Sequence, residues 1–361
     1  MYTWNRNSFG LSSLYIVYAL GDFGHRAGTR GIPHLMEHLM CKSFEDMQPK
    51  LKSLGIDWNA YTSDSKVVFY WEGLSENLES VMQELHNRLT NGQILWSEDK
   101  FNNERSTVIQ EYKDKFNNQT AGTYINNRRR YYNCTGAIGI LSDIESCSYE
   151  DSIKHAEFFR IPSKIVQSGM NKKLEYDYDF ILRDSVDYVF VQESTLPIDS
   201  VPVEDKTVIS MVSTKVIPKD KLVLGYLVTY CLGNGLESPL YQEIRDKRGL
   251  SYNIACQQCT TANSGFVYVT MSTTHDHVEE SKTVLGDFFG GDIGRHISEQ
   301  RLLECQQSLD IRSKKADILI HEGITRTTID DYDECGCLGY TIQDVRDFAN
   351  EFLHDMIIQE N

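Results

Sequence analysis

The stretch GIPHLMEHLM, residues 31–40, places His34, Glu37 and His38 within five consecutive positions, set among apolar residues. Pro33 suits the first turn of a helix. In a helix, residues four apart lie about 40° from each other around the axis, so His34 and His38 share a face one turn apart, with Glu37 beside the second. Two imidazoles so spaced can fill adjacent corners of a tetrahedral metal site, and the neighbouring carboxylate stands where a base for a water molecule is needed. The same residues also fit a polar stripe on a half-exposed helix. A metal reading needs a third ligand, and Glu111 is the candidate. Glu104 precedes it by seven residues, two helical turns, so both acids can look toward one site, one ligating and one holding a histidine from behind. Taken alone, two glutamates at this spacing simply face solvent.

Working outward, residues 12–20 (SSLYIVYAL) read as a strand and 21–31 as a loop leading into the histidine helix. A short helix ends at Gly55, and residues 56–74 read as a hairpin of aromatic and β-branched residues. Residues 75–92 form an amphipathic helix with Ser75 as N-cap, Leu78, Val81, Leu85 and Leu89 at helical spacing, and Gly92 past its end. A further helix starts near Ser97 and carries Glu104 and Glu111. A polar region follows, then a helix over 148–160 and a strand at 163–169. The tract 171–206, rich in Asp, Glu and Lys with Pro197 and Pro202 and a strand-like DYVFVQ, marks the boundary. The division is 1–185 for the first domain, 186–206 for a linker and 207–361 for the second domain. The second half runs a β-like KTVISMVSTKVI, a helix (KLVLGYLVTYCLGNG), the segment SPLYQEIRDKRGLSYNIA, a strand (GFVYVTMST) and two closing helices. Its order of elements resembles the first half, which suggests pseudo-duplication. The fold class is α+β, two similar domains that each cover a sheet with helices.

With 40% apolar residues, 361 residues can bury a substantial core. Asp and Glu number 52 against 36 Lys and Arg, a net charge of -16 that argues against nucleic acid or an anionic membrane surface as partner and leaves basic or neutral ligands easier to accommodate. No run approaches the roughly 18 apolar residues of a membrane span, and the start lacks the pattern of a secretory signal, so the expectation is a soluble intracellular protein without membrane insertion. Nine cysteines, scattered and odd in number, fit reduced thiols. Cys256 with Cys259, and Cys335 with Cys337, are single pairs without a second knuckle and read as incidental thiols. The sequons at Asn118 and Asn133 are then expected to stay unused.

The segments GIPHLMEHLMCKSF, LKSLGIDWNAYTSDSKVVFYWEGL and NNERSTVIQEY together resemble the inverted-zincin peptidases of family M16, the pitrilysin, insulin-degrading enzyme and mitochondrial processing peptidase group, for which H-x-x-E-H is the signature. IGILSDIESCSYEDSIKHAEFFRIPSKIVQSG is similar to the end of that family's first domain, and LGNGLESPLYQEIRDKRGLSYNIA to its second-domain signature. The chain departs from the pattern in three ways: only 33 residues precede His34, the first histidine of the motif, so an initial strand is expected to be shortened or missing; the linker and the start of the second domain are trimmed; and the glycine-threonine ending of the motif helix is replaced by KSF.

The resemblance implies two α/β-sandwich domains of the LuxS/MPP-like metallohydrolase fold, each a mostly antiparallel sheet covered by helices. It implies one Zn2+ per chain on His34, His38 and Glu111, with Glu37 as catalytic base and Glu104 as supporting acid. Arg245 and Tyr252 match residues that contact substrate near the scissile bond, and Asn59, Ala60, Tyr61 and Thr62 match the sheet edge to which an extended peptide adds as a strand. The implied activity is a zinc-dependent endopeptidase acting on extended or unfolded peptides through water activated by zinc and Glu37. The chain's length resembles half of the family's four-domain clamshell, implying a homodimer, or a heterodimer with an M16-like subunit, in which Arg245 and Tyr252 serve the site in cis or in trans. The competing expectation is a non-catalytic scaffold or peptide-binding subunit that kept the fold.

Overall fold

The computed structural model describes residues 2–5, 10–91, 96–181, 183, 187–192, 194–202, 205–261, 263–319 and 337–360, of which 3–5 and 311–319 as backbone. Gly92 and Cys335 lie outside the described residues. Contacts group the chain into two compact units, one chiefly Met1–Lys113 and Thr135–Val186, the other chiefly Asp114–Cys134, Asp187–Lys315 and Arg326–Asn361.

In the first unit, β1 (Tyr2–Asn5), β2 (Leu11–Ala19), α1 (Ile32–Cys41), α2 (Gln48–Ser53), β3 (Asp57–Thr62), β4 (Lys66–Leu74), α3 (Ser75–Thr90) and α4 (Glu98–Asn117) are followed by α5 (Gln119–Tyr132), which groups with the second unit, and then by α6 (Leu141–Ser146), α7 (Tyr149–Ala156) and β5 (Lys164–Ser168). The sheet order is β1-β5-β2-β4-β3, antiparallel except for the parallel pair β1 and β5. β2 is buried on both faces from Ser12 to Tyr18, as its nearly continuous apolar run requires of a central strand. α3 buries Leu78, Val81, Met82, Leu85 and Leu89 against β2 and β4. Each such side chain contributes about 1.5–3 kcal/mol on leaving water. Among the described residues, β3 pairs with β4 alone and is an edge of the sheet.

The start of α1 is fixed by glycine. Gly31 takes φ 90° as N-cap and Pro33 occupies the first turn. Gly139, at φ +72°, passes so close that an added Cβ would lie 2.2 Å from Gly31 Cα. The amide of Ile140 donates to the Arg30 carbonyl at 3.2 Å, and the amides of Gly28 and Arg30 donate to the Asp143 carboxylate at 2.9 and 3.1 Å. The loop before the histidine helix is thereby pinned to the 136–143 segment.

In the second unit, β6 (Lys206–Val212), β7 (Ile217–Pro218), α8 (Leu222–Gly233), α9 (Pro239–Tyr241, continuing as a π turn through Gln242–Asp246), β8 (Ile254–Thr260), β9 (Ser264–Thr274), α10 (Val278–Phe289), α11 (Glu299–Leu319), α12 (Ile342–Phe352) and β10 (Ile357–Glu360) build a sheet ordered β10-β6-β9-β7, with β8 also on β9. α8 is apolar nearly all round, and its burial among β8, β9 and α12 follows. The antiparallel set β10-β6-β9-β8 repeats the connectivity of β5-β2-β4-β3, so the two halves share an α/β-sandwich topology.

Several local expectations are corrected. The polar region after α4 contains α5, capped by the Asn118 side chain accepting from the Ala121 amide at 2.9 Å. Its polar residues are core: Arg129 is fully buried and its guanidinium donates to the Pro197 carbonyl at 3.0 Å and pairs with Asp199, while Tyr132 stacks on Phe266. Residues 187–192 form no strand; Tyr188 instead packs against Tyr132 and Phe266, and the Val191 amide donates to the Tyr131 carbonyl at 2.8 Å. Leu74, not Ser75, is the N-cap of α3, and the Ser75 hydroxyl donates to the Gly169 carbonyl. Three helices close the described chain rather than two, followed by the short strand β10. Of the two expectations for the initial strand, shortened or missing, the second does not hold: β1 is present over four residues. Cys256 and Cys259 lie three apart on β8 and so point to opposite faces. The eight cysteines among the described residues form no disulfide with one another. Among the described residues, no helix is long and apolar enough to cross a membrane.

Candidate active site

α1 and α4 present their polar faces to each other within the first unit. Among the described residues, His34, His38 and Glu111 form the one group of three or more histidine, cysteine or acidic side chains whose ligating atoms lie within 4.8 Å of one another. Glu111 Oε2 is 3.5 Å from His34 Nε2 and 3.7 Å from His38 Nε2. These separations are long for hydrogen bonds, whereas ligands at ~2.1 Å from a tetrahedral centre are roughly 3.4 Å apart. The imidazole planes are nearly perpendicular, at 86°, with centroids 4.9 Å apart. Two imidazole nitrogens and one carboxylate oxygen are a donor set suited to zinc, and three protein ligands leave a position for water or substrate.

Glu104 stands behind His38, its Oε2 3.2 Å from Nδ1, so with Nδ1 donating, Nε2 keeps its lone pair for the ligand cluster. Glu104 Oε1 takes the Lys42 ammonium at 2.9 Å. Glu37 is buried on the same helix, and its Oε2 accepts a 2.6 Å hydrogen bond from the Thr62 hydroxyl at the end of β3. Burial pushes the Glu37 carboxyl above the usual carboxylate range, while the Thr62 hydrogen bond and the nearby His38 pull it back. Burial also pushes the Cys41 thiol up, which keeps it protonated beside the site. A cavity of about 650 Å³ opens here, lined among others by Glu37, His38, Lys42, Trp58, Asn59 and Glu104.

The expected site residues therefore fall into three places. His34, Glu37, His38, Glu104 and Glu111 converge. Asn59, Ala60, Tyr61 and Thr62 lie on edge strand β3, whose free side is the one not paired to β4. Arg245 and Tyr252 belong to the second unit and pair with each other: the Arg245 guanidinium lies 4.2 Å from the Tyr252 ring centroid and 4.6 Å from that of Tyr241, and Tyr252 is 70% exposed. Thr62, named in the sequence reading for its place on that edge strand, also holds Glu37 through its hydroxyl. Lys42 went unassigned, although its spacing of four from His38 places it on the same helix face.

Residues 11–130 match the family model described as insulinase, peptidase family M16, and residues 192–309 match the one described as the peptidase M16 inactive domain. A protein of Rickettsia bellii named an uncharacterized zinc protease is 24% identical over 316 residues, spanning 77% of this chain and 72% of that one. The zinc protease PqqE of Helicobacter pylori is 22% identical over 97% of this chain and 86% of its own length. The crystal structure of a protease from Helicobacter pylori superposes with a TM-score of 0.78 at 17% identity, covering 99% of this chain and 96% of that one. A structure described as the peptidase M16 inactive domain from Pseudomonas fluorescens gives 0.74 at 14% identity, over 99% of this chain and 94% of that one. With both domain models matched in order and the same fold in these solved structures, the chain belongs to peptidase family M16.

Proposed function

We propose that this protein is a zinc-dependent endopeptidase that hydrolyses extended or unfolded peptides, with one zinc per chain held by His34, His38 and Glu111. The observation that carries the reading is the convergence of these three ligating groups with a buried carboxylate, Glu37, on the same helix turn. When bound, zinc supplies Lewis-acid polarisation of a carbonyl and makes water more acidic. Glu37 takes the proton of the attacking water and hands it to the leaving amine. Its raised proton affinity suits both halves of that task, and the Thr62 hydroxyl fixes the carboxylate in place. Glu104 orients His38 through Nδ1. The open side of β3 at Asn59–Thr62 offers backbone donors and acceptors to an extended peptide, which favours unfolded substrates over folded surfaces. Arg245 and Tyr252 hold substrate carbonyls and stabilise the developing oxyanion, and association with a second M16-like chain belongs to the same proposal.

The second reading, a peptide-binding subunit without turnover, draws on the match of residues 192–309 to a model described as inactive. Zinc content and cleavage of an unstructured peptide by wild type and Glu37→Gln separate the two. The peptidase reading expects bound zinc in both proteins and a loss of about 10²–10⁴-fold in cleavage for Glu37→Gln. A metal-free wild type, or equal cleavage by the variant, refutes it.

A further inference from the structure

We infer that Lys42 is a positioning residue of the zinc centre, holding Glu104 in the orientation that presents its second oxygen to His38. The inference rests on the reading of His34, His38 and Glu111 as zinc ligands. A carboxylate can orient a histidine only if it is itself held, because a glutamate has three rotatable side-chain bonds. Glu104 is only 13% exposed, so solvent contributes little to fixing it. Its two oxygens are divided: Oε2 lies 3.2 Å from His38 Nδ1 and Oε1 lies 2.9 Å from Lys42 Nζ. Lys42 is held in turn by Glu45 Oε1 at 3.1 Å, and the other oxygen of Glu45 takes Lys100 Nζ at 2.6 Å. The result is an alternating row, Lys100, Glu45, Lys42, Glu104, His38, running from the surface to the ligand cluster.

Local geometry explains why this residue does the work. Lys42 follows α1 directly, and His34, His38 and Lys42 are successive positions of one i, i+4 face, so the helix that carries two ligands also carries the anchor of their support. Its ammonium sits at the negative end of the helix dipole, where a cation is favoured. Without it, Glu104 would be a poorly solvated carboxylate facing an imidazole alone, and would rotate toward water. That rotation removes the acceptor that keeps the His38 lone pair on Nε2. Outer partners of metal-bound histidines are typically worth 10–100-fold in metal affinity. Lys42 acts one bond further out, and the expected loss is about 3–10-fold.

The test is zinc affinity, measured by competition with a chromophoric chelator, for wild type, Lys42→Met, Lys42→Arg, Glu104→Gln and the double variant Lys42→Met/Glu104→Gln, with thermal melting of the metal-free proteins as the folding control. The expected pattern is about 3–10-fold weaker zinc binding for Lys42→Met, near wild-type binding for Lys42→Arg, and a double variant no weaker than Glu104→Gln alone, since Lys42 works through Glu104. Wild-type zinc affinity in Lys42→Met, or losses that simply add in the double variant, overturns the inference while leaving the zinc site standing. If Lys42→Met melts well below wild type without metal, the decision passes to the Lys42→Arg and Glu104→Gln pair: Lys42→Arg binding as weakly as Lys42→Met overturns the inference. A wild type that binds no zinc overturns the peptidase reading and this inference together.

Discussion

Thr62→Val is the sharpest probe of how the catalytic carboxylate is held. The Thr62 hydroxyl donates to Glu37 Oε2 at 2.6 Å, and Glu37 is buried. A hydrogen bond from a neutral donor to a charged acceptor is worth about 1.5–3 kcal/mol, and valine keeps the shape and branching of threonine while removing the donor. β3 stays paired, since its bonds to β4 run through the backbone. If that energy positions Glu37 for proton transfer, kcat/KM should fall about 10–100-fold. Zinc affinity should be unchanged, because Thr62 touches no ligand. The pH profile should move as well. The Thr62 bond lowers the Glu37 proton affinity against the larger effect of burial, so its removal raises that affinity, and activity that needs the ionised carboxylate is lost at a higher pH as the solution is acidified. Steady-state peptide cleavage across pH, with Thr62→Ser as the control that retains the donor, measures both effects. Thr62→Val with wild-type kcat/KM and an unmoved acid limb, or Thr62→Ser as impaired as Thr62→Val, would refute the reasoning.

Three further predictions concern the scaffold. Lys66 is buried at the start of β4, and burial together with the nearby Lys164 pulls its ammonium down to about 7. Below about pH 7 the folded protein carries the full cost of that buried charge, which fades as pH rises toward the ordinary lysine value; Lys66→Met should therefore stabilise by about 2–4 kcal/mol at pH 6 and much less near pH 10, as urea unfolding at the two pH values would report. Arg129→Met should destabilise by about 1–3 kcal/mol, because it removes the buried donor to the Pro197 carbonyl and the cation paired with the partly exposed Asp199 carboxylate; an unchanged denaturation midpoint would contradict that role. Gly139→Ala adds a methyl 2.2 Å from Gly31 Cα at a positive φ, so it should cost about 2–4 kcal/mol and weaken zinc binding by shifting the start of α1, with calorimetry and chelator competition as the measurements.

What could be read without coordinates follows from periodicity. The 3.6-residue turn puts His34, Glu37 and His38 on one polar stripe and Glu104 and Glu111 on another, so local spacing alone made a ligand set conceivable. The continuous apolar run of β2 and the stripe of α3 set the sheet and its cover, because burial demands these patterns. α5 was missed because its buried groups are polar: Arg128, Arg129, Asn126 and Asn127 carry no apolar rhythm, and their burial depends on partners about 60–80 residues away. β10 was missed because four residues are too few for a pattern, and their strand state comes from pairing with β6. Sequence by itself thus determined which helix faces are polar and which residues have the chemistry of a zinc site. Only the tertiary structure decided that Glu111 meets both histidines, that Thr62 holds Glu37 and that Lys42 holds Glu104. Each of those contacts joins residues whose distance is set by packing between elements, and helical or strand spacing carries no information about that.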